Sequence, residues 1–117
     1  MSLFEELRAL GVDIDDGLKR LNGNEKLYTR LLGTFIKTFD AGVVKPDFDA
    51  NNCNEAIEKA HAIKGTAGNL SLTPIYESYS EILALLRTGK PEEAREILKK
   101  IEPVQEEIIA CIRKHMQ

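Results

Sequence analysis

Apolar residues recur at steps of three and four along almost the whole chain, and no strand-like alternation interrupts them. This pattern predicts an all-helical fold. A first short helix is expected over about Leu3 to Leu10, with Phe4, Leu7 and Leu10 on one side and Gly11 ending it. Asp13 should cap a second short helix carrying Ile14, Leu18 and Leu21 up to the Asn22-Gly23 turn. Asn24 is the expected N-cap of a third helix, whose stripe runs from Leu27 and Tyr28 through Leu31, Leu32, Phe35 and Ile36 to Phe39. Gly42 and Pro46 mark its exit, and Lys45 to Asn51 reads as a loop or a single helical turn.

Asn52 with Glu55 three residues on reads as a capping box opening a fourth helix that reaches about Leu70. Thr73-Pro74 reads as a cap and first-turn proline for a fifth helix, through Ile75, Tyr79, Ile82, Leu83 and Leu86 to a Gly89 stop. The last helix opens at Pro91 and carries Ala94, Leu98, Ile101, Ile108 and Ile112, with a kink expected near Ile101 to Pro103 because Pro103 lacks a donor. Short connections favour antiparallel neighbours, so helices three to six are expected to form an up-down four-helix bundle with the first two packed as a lid.

At 117 residues, 43% hydrophobic and 30% charged, residues 1–117 make one domain able to bury roughly two-thirds of its unfolded surface. Sixteen basic against nineteen acidic residues give a net charge of -3, which argues against nucleic acid as a partner. Cys53 and Cys111 fit no disulfide framework or Cys-x-x-Cys zinc pattern and read as small buried hydrophobes. No stretch approaches the ~20 apolar residues of a membrane span, and no signal-like segment opens the chain, so a cytoplasmic location is expected. Met1-Ser2-Leu3 is compatible with a cloning remnant and hence with a piece cut from a longer protein.

Chemistry concentrates on the fourth helix. At 100 degrees per residue, Cys53, Ala56, Ala60, Ile63, Ala67 and Leu70 share one sector, which must be the buried one. His61 points elsewhere, in a sector with Asn54, Glu58, Lys64, Gly65 and Gly68, and should be exposed. A glycine inside a helix is about 1 kcal/mol worse than alanine, so two on one exposed face need a compensating benefit. Gly65 and Gly68, one and two turns beyond His61, would strip the surface beside the imidazole and admit a large partner. Lys64 can swing its ammonium towards an anion attached to His61.

The segment His61-x-x-Lys64-Gly65, followed by Gly68 and Leu70, resembles the signature of histidine-containing phosphotransfer (HPt) domains of phosphorelays. The likeness extends to the six-helix order, the stretch from Gly11 to Asp15, the Leu-rich third helix and the Thr88 to Pro91 turn. Two departures are Ser71, where the family commonly has glycine, and Ile63, where leucine is frequent. The resemblance implies that His61 accepts a phosphoryl group at Nε2 from a receiver-domain aspartate and passes it to another receiver. It implies docking over Gly65 and Gly68, with Asn54, Ile57, Glu58 and Asn69 as further contacts.

A neutral imidazole is a competent nucleophile, and an ordinary one is mostly neutral above pH ~6.5. The sequence has no phosphate-binding Gly-x-x-x-x-Gly-Lys loop, kinase-like nucleotide site or acidic triad for magnesium, so no cofactor is expected and a receiver must bring both magnesium and aspartate. The chain reads as a monomeric carrier rather than a self-sufficient enzyme, with Lys64 balancing phosphoryl charge in an in-line transfer.

Three other readings compete. A dimerising histidine-kinase module usually has an acidic residue directly after its histidine and a proline a turn later, where this chain has Ala62 and Gly65. A non-catalytic adaptor or degenerate phosphotransfer fold would leave His61 incidental. A metal site finds little support, because His61 and His115 are distant in sequence, and His115 reads as a surface residue of the last helix whose charge complements the dipole.

Overall fold

The computed structural model describes residues 2–116, which form six α-helices and no strand. Helices α1 (Leu3–Ala9) and α2 (Ile14–Arg20) are short. Helices α3 (Glu25–Ala41), α4 (Asn54–Asn69), α5 (Thr73–Arg87) and α6 (Pro91–His115) are long. The molecule is elongated, 43 × 24 × 22 Å. No described helix is long and apolar enough to cross a membrane.

Side-chain caps explain three of the six helix starts. Ser2, Asp13 and Asn24 each accept a hydrogen bond from a backbone N–H three residues on, at 3.2, 3.1 and 3.0 Å, which satisfies a donor that the helix leaves orphaned. Ser2 caps α1 and Leu3 is buried, so both residues take part in the fold. Gly11 and Gly89 end α1 and α5 with φ of +92° and +75°, a region that side chains disfavour.

Two starts differ from expectation. Cys53, not Asn52, is the N-cap of α4 and makes no side-chain cap bond. Asn52 reaches only the Asn54 N–H at 3.4 Å, and Glu55 turns along the helix to Lys59 at 2.7 Å, so the reciprocal capping box does not form. Thr73 is the first residue of α5 rather than its cap, which is Leu72; the Thr73 hydroxyl instead donates to the Ser71 carbonyl at 3.2 Å. Residues 42–53 carry no helix, and Arg95 of α6 holds this stretch by donating to the Pro46 carbonyl and stacking 4.6 Å over the Phe48 ring. Helix α6 runs unbroken through Pro103.

The long helices touch in a closed cycle, α3 on α4, α4 on α5, α5 on α6 and α6 on α3. Between them lie Leu32 and Phe35 of α3, Ala60, Ile63 and Ala67 of α4, Ile75 and Ile82 of α5, and Ala94 and Ile108 of α6, all fully buried. Burying a side chain such as Ile63 contributes about 1.5–3 kcal/mol. Because α4 offers mainly alanines to this core, its axis can lie close to its neighbours, and its polar face is left outside.

The two buried tyrosines tie up core polar groups. Tyr79 donates to Gln105 Oε1 at 2.8 Å, and Tyr28 donates to the Leu70 carbonyl at the end of α4 at 2.6 Å. Burial pushes both hydroxyls well above the usual tyrosine range, so they stay protonated donors. Helix α1 packs on α6 and α2 on α3, with Phe4 meeting Tyr28 edge-on at 5.7 Å. Gly17 lets α2 lie on the Tyr28 ring, since a Cβ there would fall 2.7 Å from the ring edge.

Candidate functional site

The end of α4 is built around Ser71. Its N–H bonds the Gly68 carbonyl at 3.3 Å and the Leu72 N–H bonds the Ala67 carbonyl at 3.0 Å, the paired contacts of a Schellman ending. That ending requires a left-handed residue, and Ser71 supplies it with φ +55° although it is not glycine. The Ser71 hydroxyl donates to Asp16 Oδ2 at 2.5 Å, and the Asp13 N–H donates to the Ser71 carbonyl at 3.1 Å. Serine therefore sits where the resemblance expects glycine and ties α2 to α4.

This tie creates a cleft of about 400 Å³. His61, Lys64, Gly65, Gly68 and Asn69 of α4 form one wall, Asp16 and Arg20 of α2 another, and Tyr76 with Thr73 of α5 a third. His61, Gly65 and Asn69 are exposed, and Lys64 is half-buried. Neither His61 nor Lys64 has a carboxylate at ion-pair distance among the described residues, whereas Lys59, one turn before Ile63, is paired with Glu55. Arg20 binds Asp16 Oδ2 through Nε at 3.0 Å. The Ser71 hydroxyl first, and Arg20 second, hold the Asp16 carboxyl below the usual carboxylate range. Thr73 also brings the positive end of the α5 dipole to the rim.

The two glycines prove unlike. A Cβ at Gly65 would meet nothing within 4 Å, so the helix surface there is bare. A Cβ at Gly68 would stand 2.9 Å from the Tyr76 ring. The space expected to be clear for a partner at Gly68 is filled from within by Tyr76, itself 40% exposed. Asn54, Ile57 and Glu58, expected beside His61, do not line the cleft. Asn54 and Glu58 are exposed on earlier turns of α4, and Ile57 packs its side chain partly against the core.

Asp16, Arg20, Ser71 and Tyr76 complete the cleft from outside the His61 motif. The Asp16 and Arg20 spacing of four marks an ion pair on one helix face, but nothing local places that face against α4.

A second cluster joins the terminal helices. Glu6 Oε2 accepts from the Cys111 thiol at 3.3 Å and lies 2.9 Å from His115 Nε2, while Lys114 reaches Oε1 at 3.2 Å. The His115 contact first, then Cys111 and Lys114, hold the Glu6 carboxyl down to about 2. His115 is thus a half-buried partner of Glu6 rather than a free surface residue. Cys111 is buried as expected but uses its thiol, and burial followed by the Glu6 contact pushes it up to about 11. Cys53 is only half-buried and points its thiol at the Asp49 and Ala50 carbonyls. Among the described residues Glu6, Cys111 and His115 are the side chains grouped closely enough to hold a metal ion.

Compared with family models, curated proteins and solved structures, the chain has no match.

Proposed function

We propose that the chain is a phosphorelay carrier of the HPt type, taking a phosphoryl group on His61 from a receiver-domain aspartate and handing it to another receiver. The observation that carries this reading is an exposed imidazole, with no carboxylate at ion-pair distance, that shares a cleft with Lys64, Arg20 and the bare helix surface at Gly65. An imidazole lone pair attacks phosphorus as the aspartyl P–O bond breaks, the carboxylate leaves, and Lys64 offsets charge on the equatorial oxygens. By the family's pattern the attacking atom is Nε2.

In this reading α3 to α6 form an antiparallel up-down bundle that presents α4 as a rigid docking face, with α1 and α2 across its end. A receiver brings the aspartate and magnesium, so the chain needs no cofactor of its own and acts as a cytoplasmic monomer without autokinase activity. Gly65 lies at the centre of the docking face, with Tyr76 and Asn69 beside it. Asn54, Ile57 and Glu58 extend that face along earlier turns of α4, and the ring of Tyr76 takes over the surface at Gly68.

The test is phosphoryl transfer from a panel of phosphorylated receivers to wild type and to His61→Gln. Label that is acid-labile and base-stable, confined to wild type, supports the proposal. Equal labelling of the variant, or none from any receiver with the fold intact by circular dichroism, turns the reading towards a non-catalytic adaptor.

A further inference from the structure

The Glu6, Cys111 and His115 cluster lies apart from the proposed phosphoryl site, sharing no wall with the His61 cleft. Cys111 and His115 stand four residues apart on α6, so both lie on one face, and Glu6 comes to them from α1 across 105 and 109 residues of chain. A thiol sulfur, an imidazole nitrogen and a carboxylate oxygen thus converge, all within 4.8 Å of one another. A tetrahedral zinc with bonds of about 2.0–2.3 Å holds its ligands about 3.3–3.8 Å apart. The Glu6 contacts stand at 3.3 Å to sulfur and 2.9 Å to nitrogen, and sulfur and nitrogen lie within 4.8 Å of each other, all close to that spacing.

We propose that Glu6, Cys111 and His115 form a zinc-type divalent metal site that ties α1 to the end of α6. The combination of sulfur, nitrogen and a single carboxylate selects zinc-like ions over magnesium or calcium, which take oxygen ligands. Solvent enters through an open groove along Leu10, Glu107 and Cys111, and fills the fourth position. Lys114, two-thirds exposed, swings off Glu6 Oε1. On coordination the thiol proton leaves to solvent as sulfur binds the metal, and Nε2 of the neutral imidazole donates its lone pair with the ring proton held on Nδ1. About one proton is therefore released per metal.

The test titrates the chelator-treated full chain with Co²⁺, a spectroscopic substitute for Zn²⁺. The expected result is a one-to-one thiolate-to-cobalt charge-transfer band with tetrahedral ligand-field intensity, erased by Zn²⁺. The band is lost in Cys111→Ser and in His115→Gln and kept in Cys53→Ser. Zn²⁺ also raises the Tm of wild type but not that of His115→Gln. If Cys111→Ser does not fold, Glu6→Gln and His115→Gln, both altered at partly exposed positions, decide the matter by the same band. A wild-type chain without the band under excess Co²⁺, or a band that survives in Cys111→Ser or His115→Gln, overturns the proposal. The readout needs no receiver and stands or falls apart from phosphoryl transfer.

Discussion

Replacing Gly65 by alanine separates stability from docking. Gly65 lies inside α4, and its added Cβ meets nothing within 4 Å, so the substitution introduces no overlap. What remains is the intrinsic preference of the helix, which favours alanine by about 0.8–1.0 kcal/mol. In a domain of this size that gain shifts Tm by roughly 4 °C, with the slope of urea unfolding unchanged. The same methyl projects from the surface that a receiver approaches. Transfer to His61 should therefore slow in Gly65→Ala and slow further in Gly65→Leu, although both fold at least as well as wild type. Urea titration and transfer from one phosphorylated receiver measure the two effects on the same samples. An alanine variant no more stable than wild type would refute the bare-surface geometry. A leucine variant transferring at the wild-type rate would remove the need for close approach at Gly65.

Gly68→Ala should behave oppositely, because the new Cβ overlaps the Tyr76 ring; overpacking of about 1–3 kcal/mol offsets or exceeds the helix gain. In a Tyr76→Ala background the same change should stabilise by about 0.5–1 kcal/mol, a non-additivity readable in a double-mutant cycle by urea unfolding. Lys64→Ala should leave the melting curve within about 0.5 kcal/mol of wild type yet slow transfer to His61, as measured by single-turnover labelling. Asp16 binds protons less readily folded than unfolded, so its contribution is present above its ordinary 3.8 and is lost as pH falls below that value. Ser71→Ala removes the main cause of that lowering, and its stability should fall less steeply than wild type as pH drops below 3.8 when followed by denaturant titration.

Local signals carried much of the architecture. Asp13 and Asn24 announce helix starts because an oxygen three residues before an N–H suffices to cap it, and Gly11 and Gly89 announce stops because positive φ suits glycine. The buried stripe of α4, and with it the exposure of His61, follows from helical period alone. Asn52 and Glu55 misled because a capping box depends on reciprocal geometry, and the preceding loop sets a cap at Cys53 instead. Gly68 misled because the ring that fills its surface arrives from α5. Arg20 in the cleft of His61, and Glu6 beside Cys111, depend on packing between helices distant in sequence, for which the chain has no local mark.

The junction at Ser71 also governs how the cleft comes apart. Helix α2 is two turns long and is held to the end of α4 by two bonds, Asp13 N–H to the Ser71 carbonyl and the Ser71 hydroxyl to Asp16. Breaking both, and lifting Ile14 and Gly17 off the core and the Tyr28 ring, releases the Arg20 wall while α3 to α6 keep contact with one another. Amide hydrogen exchange should therefore find α2 opening as a unit of its own, ahead of the long helices, with the Asp13 amide as its reporter. The histidine would stay on a rigid post while one bank of its cleft breathes.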